Sequence, residues 1–172
     1  MPASPLVPPA QYKIGLCYYQ LSPKPALDQT YTVRAIDEFQ AFIEYNPKHE
    51  FVPDAEAKIS ELNGRLAEKM YVAAELYMKL DYYKSASIYY STVIEKYHDT
   101  EFAEPALLGL VKALVARNRY GEAKDNIARF LDKYPSSRLR GEAESLQSAI
   151  IDHLKSKSAD MESRLTGRGF HA

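Results

Sequence analysis

The feature that most constrains the fold is a residue pattern that returns after 37 positions. The offset joins Ala86 with Ala123, Tyr83 with Tyr120, and residues 95–97 with residues 132–134. Within each copy, small and large apolar residues recur at helical spacing. A period of 20 to 50 residues is typical of stacked repeat units, each of which needs a neighbour to cover its apolar side. The chain is therefore predicted to be a repeat protein.

The residues within each copy follow the tetratricopeptide pattern, a pair of antiparallel helices with small residues where the helices touch. The pattern positions are Met70, Ala73, Ala74, Tyr77, Ala86, Tyr90 and Val93 in one copy, and Leu107, Leu110, Val111, Leu114, Ala123, Ile127, Phe130 and Pro135 in the next. A third, earlier copy carries Gly15 in its first helix and Ala35 and Phe39 in its second. The loop between them is enlarged, and its two prolines prevent the helix from continuing. The sequence thus predicts an all-α tetratricopeptide-repeat solenoid of antiparallel helical hairpins.

The predicted domain covers residues 1–157 as a single solenoid. Its repeats lie at about 10–47, 67–100 and 104–136, and a covering helix at 137–157 closes the stack. Helices are predicted near 10–20, 30–46, 54–79, 82–97, 101–117, 120–134 and 137–157. The third is long because no proline interrupts it, so that a connecting helix is fused to the first helix of the next repeat. Residues 158–172 lack apolar periodicity and are expected to form a disordered tail.

Charge and composition exclude several classes of function. A formal net charge of -1 leaves no excess of cations to neutralise phosphates, so nucleic acid is not an expected partner. The four histidines are far apart in sequence, and none has a cysteine or carboxylate at metal-ligand spacing. There is no phosphate-binding glycine loop and no catalytic constellation. We therefore expect neither an enzyme nor a cofactor.

The single cysteine and the start of the chain are also informative. Cys17 falls on the apolar side of a predicted helix, and we interpret it as a core residue. No apolar run is long enough to span a membrane. The first residues lack the charged and apolar regions of a signal peptide.

Several segments go beyond a generic repeat. Residues 65–77 and 82–90, the repeat end Tyr97-His98-Asp99-Thr100, the split first repeat and the fused helix resemble the BamD family of outer-membrane assembly lipoproteins. The resemblance covers about residues 10–155. It implies a lipid-anchored location at the periplasmic face of the outer membrane. It also implies that the chain is the C-terminal part of a longer protein, without the lipid-attachment region and the first one or two repeats.

The resemblance further implies partners. Members of the family bind the periplasmic domains of the barrel insertase through their C-terminal repeats. Other assembly-machine lipoproteins and unfolded outer-membrane proteins are further partners that the resemblance implies. Contact with the membrane would occur only through the lipid anchor that this chain lacks.

Two sets of side chains are candidates for partner binding. First helices line the concave face in this repeat class, which predicts a surface made by Tyr12, Leu16, Tyr19, Tyr71, Glu75, Met78, Leu108 and Lys112. The C-terminal repeat adds a basic edge of Arg117, Arg119, Lys124, Arg129, Lys133, Arg138 and Arg140. Arginine pairs with carboxylates in a bidentate manner, so this edge is suited to an acidic patch. The residues assigned to partner binding are Tyr12, Tyr19, Tyr71, Glu75, Met78, Lys112, Arg117, Arg119 and Arg138.

Other adaptors remain as alternatives. One is a different repeat protein of the cell envelope, either Tol-Pal-associated or of the pilus-assembly type. Another is a cytosolic adaptor that clamps peptide C-termini. That clamp needs Lys, Arg or Asn at concave positions, which here hold Tyr12, Leu16, Tyr71, Glu75, Leu108 and Lys112.

Overall fold

The computed structural model describes residues 7–167, with side chains for residues 8–161, and in this range it contains seven helices and no strand. They are α1 (Val7–Leu21), α2 (Thr30–Tyr45), α3 (Val52–Lys79), α4 (Tyr83–Lys96), α5 (Ala103–Ala116), α6 (Tyr120–Lys133) and α7 (Arg140–Gly167). Each helix packs against the next one along the chain, and α3 also touches α5. The structure confirms the predicted all-α solenoid of helical hairpins and the long third helix.

The turns of the second and third hairpins are built in the same way. Asp81 and Asn118 have positive φ angles of 60° and 58°, and they lie 37 residues apart, as the repeat requires. Asp and Asn tolerate this left-handed conformation better than most residues. One further hydrogen bond closes each turn, from Tyr82 N–H to the Tyr77 carbonyl at 2.9 Å and from Arg119 N–H to the Leu114 carbonyl at 2.9 Å. This pattern ends the first helix of each hairpin and starts the chain back.

Small residues set the spacing between helices, as predicted. A methyl group added at Gly15 would lie 2.7 Å from the ring of Phe39, so α1 and α2 touch through a glycine and an aromatic ring. Ala86 and Ala123 are fully buried at the matching positions of the later repeats. Among the five glycines at positions 15 to 141, Gly109 makes the closest approach, because a methyl group there would lie 2.5 Å from the ring of Tyr90.

The fused helix α3 carries two separate cores. Its first half joins the α1–α2 hairpin in a cluster formed by Tyr12, Ala35, Ile36, Phe39, Phe42, Ala55, Leu62 and Leu66. From Ala67 onward it belongs to the larger cluster, which extends through α4, α5 and α6 to Ile150 of α7. Tyr97 is half-buried and contacts both clusters. The first hairpin is thus attached to the rest of the solenoid mainly through α3.

The interpretation of Cys17 as a core residue is wrong, because its side chain is exposed. It lies between Ile14 and Leu21 on an outward stripe of α1, and both of these residues are also exposed. The apolar side of α1 that is covered is the one that carries Tyr12 and Gly15. Helical periodicity placed Cys17 on an apolar stripe, but no helix of the described part of the chain packs on that stripe.

The predicted end of the last helix is also wrong. Helix α7 does not stop at residue 157 but continues to Gly167, so residues 158–167 are helical and not a disordered tail. Ala, Met, Glu and Arg in this segment favour a helix, and it contains no proline. Residues 155–161 are exposed, which explains why the sequence shows no apolar periodicity there. Residues 168–172 lie outside the described residues.

No helix within the described range is both long and apolar enough to cross a membrane.

The Gly109 contact gives a stability prediction. We expect Gly109→Ala to lower the free energy of unfolding by about 1–3 kcal/mol, because the added methyl group would force the buried ring of Tyr90 to shift within a packed core. Gly64→Ala is the matched control, since a methyl group there meets nothing within 4 Å. It should raise stability by up to about 1 kcal/mol, because alanine favours a helix interior. Urea unfolding followed by circular dichroism measures both, and equal midpoints for Gly109→Ala and the unaltered chain would contradict the prediction.

Candidate partner-binding surface

A groove with a volume of about 550 Å³ lies between α4 and α6. Leu110 and Leu114 of α5 line its buried floor. Its walls are formed by Lys84, Ser87, Ile88, Ser91, Thr92, Ile94 and Glu95 of α4, and by Arg117, Arg119, Glu122, Asn126 and Arg129 of the α5–α6 turn and α6. The two walls come from the second helices of successive repeats.

The hairpin turn between α5 and α6 positions two arginines at this groove. Arg117 directly follows the last residue of α5, and Arg119 directly precedes the first residue of α6. Arg117 is half-buried, and its Nη1 donates a hydrogen bond to Ser87 Oγ at 2.8 Å. The Ser87 hydroxyl in turn donates to the Lys84 carbonyl at 2.8 Å. The Arg117 guanidinium is therefore held in place by neutral groups.

The charge of the groove is unevenly distributed. Arg119 forms an ion pair with Glu122, so these two charges largely offset each other. Lys84 and Arg129 are exposed, and neither forms an ion pair within the described part of the chain. With Arg117 they face a single further carboxylate of the lining, that of Glu95. The groove thus combines a net positive wall with an apolar floor, which suits an acidic segment that also carries apolar side chains.

The predicted first-helix surface is used largely for contacts within the chain. Tyr71 and Glu75 are half-buried, and Glu75 accepts a hydrogen bond from the hydroxyl of Tyr90. The Tyr71 ring lies 5.9 Å from that of Tyr90 and 5.7 Å from that of Phe102. Burial raises the pKa of both Tyr71 and Tyr90, and the nearby Glu75 carboxylate raises both further. These side chains link α3 to α4 and α5.

Tyr12 is not at the surface as predicted, because its side chain is 8% exposed. Its ring packs among Phe39, Phe42 and Phe51, and its hydroxyl donates to Asp54. The position expected on a concave face is therefore part of the core between α1, α2 and α3.

Tyr19, also assigned to partner binding, is half-buried. Its hydroxyl donates to Glu61 Oε2 at 2.6 Å, and the charged groups of Lys58 and Arg65 lie over its ring. Tyr19 therefore joins α1 to α3, and one side of its ring is already covered by cations.

The remaining residues of that set have mixed surroundings. Leu108 is 2% exposed, so it is a core residue and its expected place on the surface is wrong. Leu16 is half-buried against the core of the first hairpin, and Met78 is half-buried against the larger core. Lys112 is exposed, and its Nζ lies 2.7 Å from Glu142 Oε1, which joins α5 to α7.

The predicted basic edge is not one continuous surface. Arg117, Arg119 and Arg129 line the groove, whereas Arg138 is exposed in the loop between α6 and α7. Lys124 lies in a small cleft against α7, Lys133 lies over the ring of Tyr134, and Arg140 pairs with Glu144. Sequence reasoning missed Lys84 and Ile88 on the opposite wall. The repeat offset gives no signal for them, because it places Lys84 and Ile88 at Gly121 and Asp125, which do not line the groove.

The described residues offer no group of three His, Cys, Asp or Glu side chains that could hold a metal ion. The lining of the groove combines charged side chains on its walls with apolar atoms on its floor.

The sequence matches two known family models. The sequence model of the YfiO family, described as outer membrane lipoprotein, matches residues 1–117. The chain belongs to this family. A tetratricopeptide-repeat model also matches residues 105–137, which include α6 and most of α5. The match confirms the resemblance found in the sequence and the predicted location at the periplasmic face of the outer membrane. It weighs against the cytosolic and other envelope adaptors.

Two curated relatives of this YfiO-family chain carry the name outer membrane protein assembly factor BamD. The protein from Caulobacter vibrioides is 28% identical over 137 residues, which are 80% of this chain and 45% of the relative. The protein from Rickettsia prowazekii is 29% identical over 129 residues, which are 75% of this chain and 51% of the relative. The chain thus spans about half the length of the curated relatives it matches.

The buried Tyr90 hydroxyl leads to a pH prediction for this YfiO-family chain. Burial and the bond to Glu75 raise its pKa above the ordinary value of 10.0. The unfolded chain therefore loses a proton near pH 10 that native Tyr90 retains, and the stability that this provides is present below about pH 10 and is lost as the pH rises further.

We expect the free energy of unfolding to fall above about pH 10. Tyr90→Phe should make that fall shallower, by at most about 1.4 kcal/mol per pH unit for one proton. Tyr31→Phe, on an exposed ring, is the control. Urea unfolding between pH 8 and pH 11 measures all three chains, and an unchanged slope for Tyr90→Phe would show that Tyr90 does not retain its proton.

Proposed function

We propose that this YfiO-family chain is a non-catalytic scaffold in the assembly of outer membrane proteins, and that it docks the periplasmic domains of the barrel insertase. Family membership and the names of the relatives support a role in assembly. The stacked hairpins support a binding role, because solenoids of this kind present extended surfaces.

The observation that carries the docking proposal is the Arg117 guanidinium, which is held at the groove by Ser87. A fixed, half-buried arginine loses little conformational freedom when it binds a carboxylate, and hydrogen bonds to charged groups contribute about 1.5–3 kcal/mol. Exposed pairs at Lys84 or Arg129 contribute less, about 0.2–1 kcal/mol each. In this proposal, Arg117 provides specificity and the surrounding cations speed association.

The groove also supplies apolar contact. Ile88 is 57% exposed at the edge, and Leu110 and Leu114 lie below it. An acidic loop or strand of the insertase domains that carries one or two apolar side chains would cover both features. Other assembly-machine lipoproteins and unfolded outer-membrane proteins are further partners in this proposal.

Arg119→Glu tests the docking proposal. The reversal places two carboxylates, those of position 119 and Glu122, at the mouth of the groove. We expect the dissociation constant for the purified periplasmic domains of the insertase to rise by about tenfold or more, chiefly at low salt. Isothermal titration calorimetry at two salt concentrations measures the change.

Two further variants make the test specific. Lys48→Glu has the same change in net charge at an exposed position in the α2–α3 turn, and it should leave binding unchanged. Arg138→Glu separates the groove from the rest of the predicted basic edge. A loss that is equal for Arg119→Glu and Lys48→Glu would mean that only net charge matters. Absence of binding by an unaltered chain that circular dichroism shows to be folded would reject the docking proposal.

A further inference from the structure

Helix α3 presents an apolar stripe that no helix of the described chain covers. Val72, Leu76 and Leu80 are 57%, 55% and 53% exposed, although each is a large apolar side chain. Their spacing of four residues places them on one face, at the C-terminal end of the helix. The stripe extends over about 12 Å, or two helical turns.

In the next repeat, the equivalent face of the first helix is covered by a neighbouring helix. The 37-residue offset places Val72, Leu76 and Leu80 of α3 at Gly109, Ala113 and Arg117 of α5. In α5 this face lies against α4, since Gly109 is in contact with the Tyr90 ring and Ala113 is fully buried. The same face of α3 therefore has the position of a helix-packing surface in this solenoid.

The first half of α3 gives a second, independent argument. The residues Asp54, Lys58, Glu61, Arg65, Lys69, Val72, Leu76 and Leu80 follow one another at intervals of three or four, so they form one continuous face. Helix α1 already occupies its beginning, where Tyr12 and Tyr19 donate to Asp54 and Glu61.

The loop after α1 continues along the same face of α3 and reaches the middle of that helix. Arg65 donates to the Ser22 carbonyl at 3.2 Å, and Lys69 donates to the Leu27 carbonyl at 2.6 Å. The uncovered stripe begins one turn later, at Val72. It is thus the direct continuation of the interface between α1 and α3.

Size and charge specify the occupant. Val72 and Leu76 fill space that Gly109 and Ala113 leave to a partner ring in α5, so a helix on α3 needs smaller apolar side chains than Tyr90. Lys69 and Lys79 flank the stripe, and Lys79 is exposed. A partner that carries acidic residues beside its apolar face complements these ammonium groups.

We propose that the stripe of Val72, Leu76 and Leu80 docks an amphipathic helix of a partner protein, in line with α1 and with acidic residues facing Lys69 and Lys79. Recognition of a short helix through anchors four residues apart matches a stripe of this length. A second copy of the chain is a poorer match, because a stable dimer buries about 800 Å² on each partner and the stripe has three side chains. This surface is separate from the groove between α4 and α6.

A synthetic 18-residue helix tests the proposal. Its apolar face carries Ala and Leu at helical spacing and its flanks carry Glu, and a fluorescein label reports binding by anisotropy. We expect saturable binding to the full chain, and Leu76→Asp should weaken it at least tenfold, because the new carboxylate would be buried under the peptide. Exchanging Glu for Lys in the peptide should weaken binding as well.

Ile14→Asp is the matched control, since Ile14 is 47% exposed on the outward stripe of α1 and lacks the two flanking lysines. It should leave binding unchanged, and circular dichroism should show the same helix content for both variants. Three outcomes would overturn the proposal. They are no saturable binding to the unaltered chain, equal weakening by Ile14→Asp and Leu76→Asp, and a dimer in sedimentation that Leu76→Asp converts to a monomer.

Discussion

The ring of Tyr90 lies where three helices meet, and the positions of the later elements depend on it. It is 1% exposed, it rests on Gly109 of α5, and its hydroxyl donates to Glu75 of α3. The glycine lets the two backbones approach, and the hydrogen bond satisfies the one polar atom that the ring buries. A single side chain thus fixes α4 against its own hairpin and against the next one. The α5–α6 turn, and with it Arg117 and Arg119, follows from that spacing.

The groove between α4 and α6 and the open stripe on α3 arise from how successive hairpins are joined. Between the second and third repeats the connection is short, so α4 packs on α5, and a groove lies between the second helices α4 and α6. Between the first and second repeats the connection is the fused helix α3, and the first hairpin packs on the N-terminal half of α3. The face that α4 covers on α5 therefore stays open on α3. A difference in one connection turns a core position into a surface stripe.

The sequence was sufficient for the fold because the small residues of the repeat are dictated by contact distances. Gly15 lies against the ring of Phe39, Ala86 and Ala123 are fully buried, and the recurrence of such small residues gives the helix pairs and their register. The family followed from segments that depend on that register. Gly109 was missed because the repeat pattern expects its small residue two positions later, where Val111 stands and is fully buried.

The candidate site was harder to predict, for a physical reason that Cys17, Tyr12 and Leu108 share. Helical periodicity shows which residues share a face, but not whether another helix covers that face. Cys17 lies on an apolar stripe that remains open, whereas Tyr12 and Leu108 lie on faces that neighbouring helices cover. Lys84 and Ile88 were missed because a groove between two second helices requires knowledge of their relative position.

The charges of the C-terminal repeat differ in how much they have left to offer a partner. Lys112 and Arg119 already have carboxylate partners, so a new contact must first compete with Glu142 or Glu122. Arg117 donates to the neutral Ser87 hydroxyl. If a carboxylate of a partner replaces that hydroxyl as the acceptor, Arg117 gains a full charge–charge interaction. An arginine contributes most to specificity when its guanidinium is held in a fixed orientation but its charge is not yet neutralised by a carboxylate. For this reason the docking proposal depends on the groove rather than on the number of basic residues along the edge.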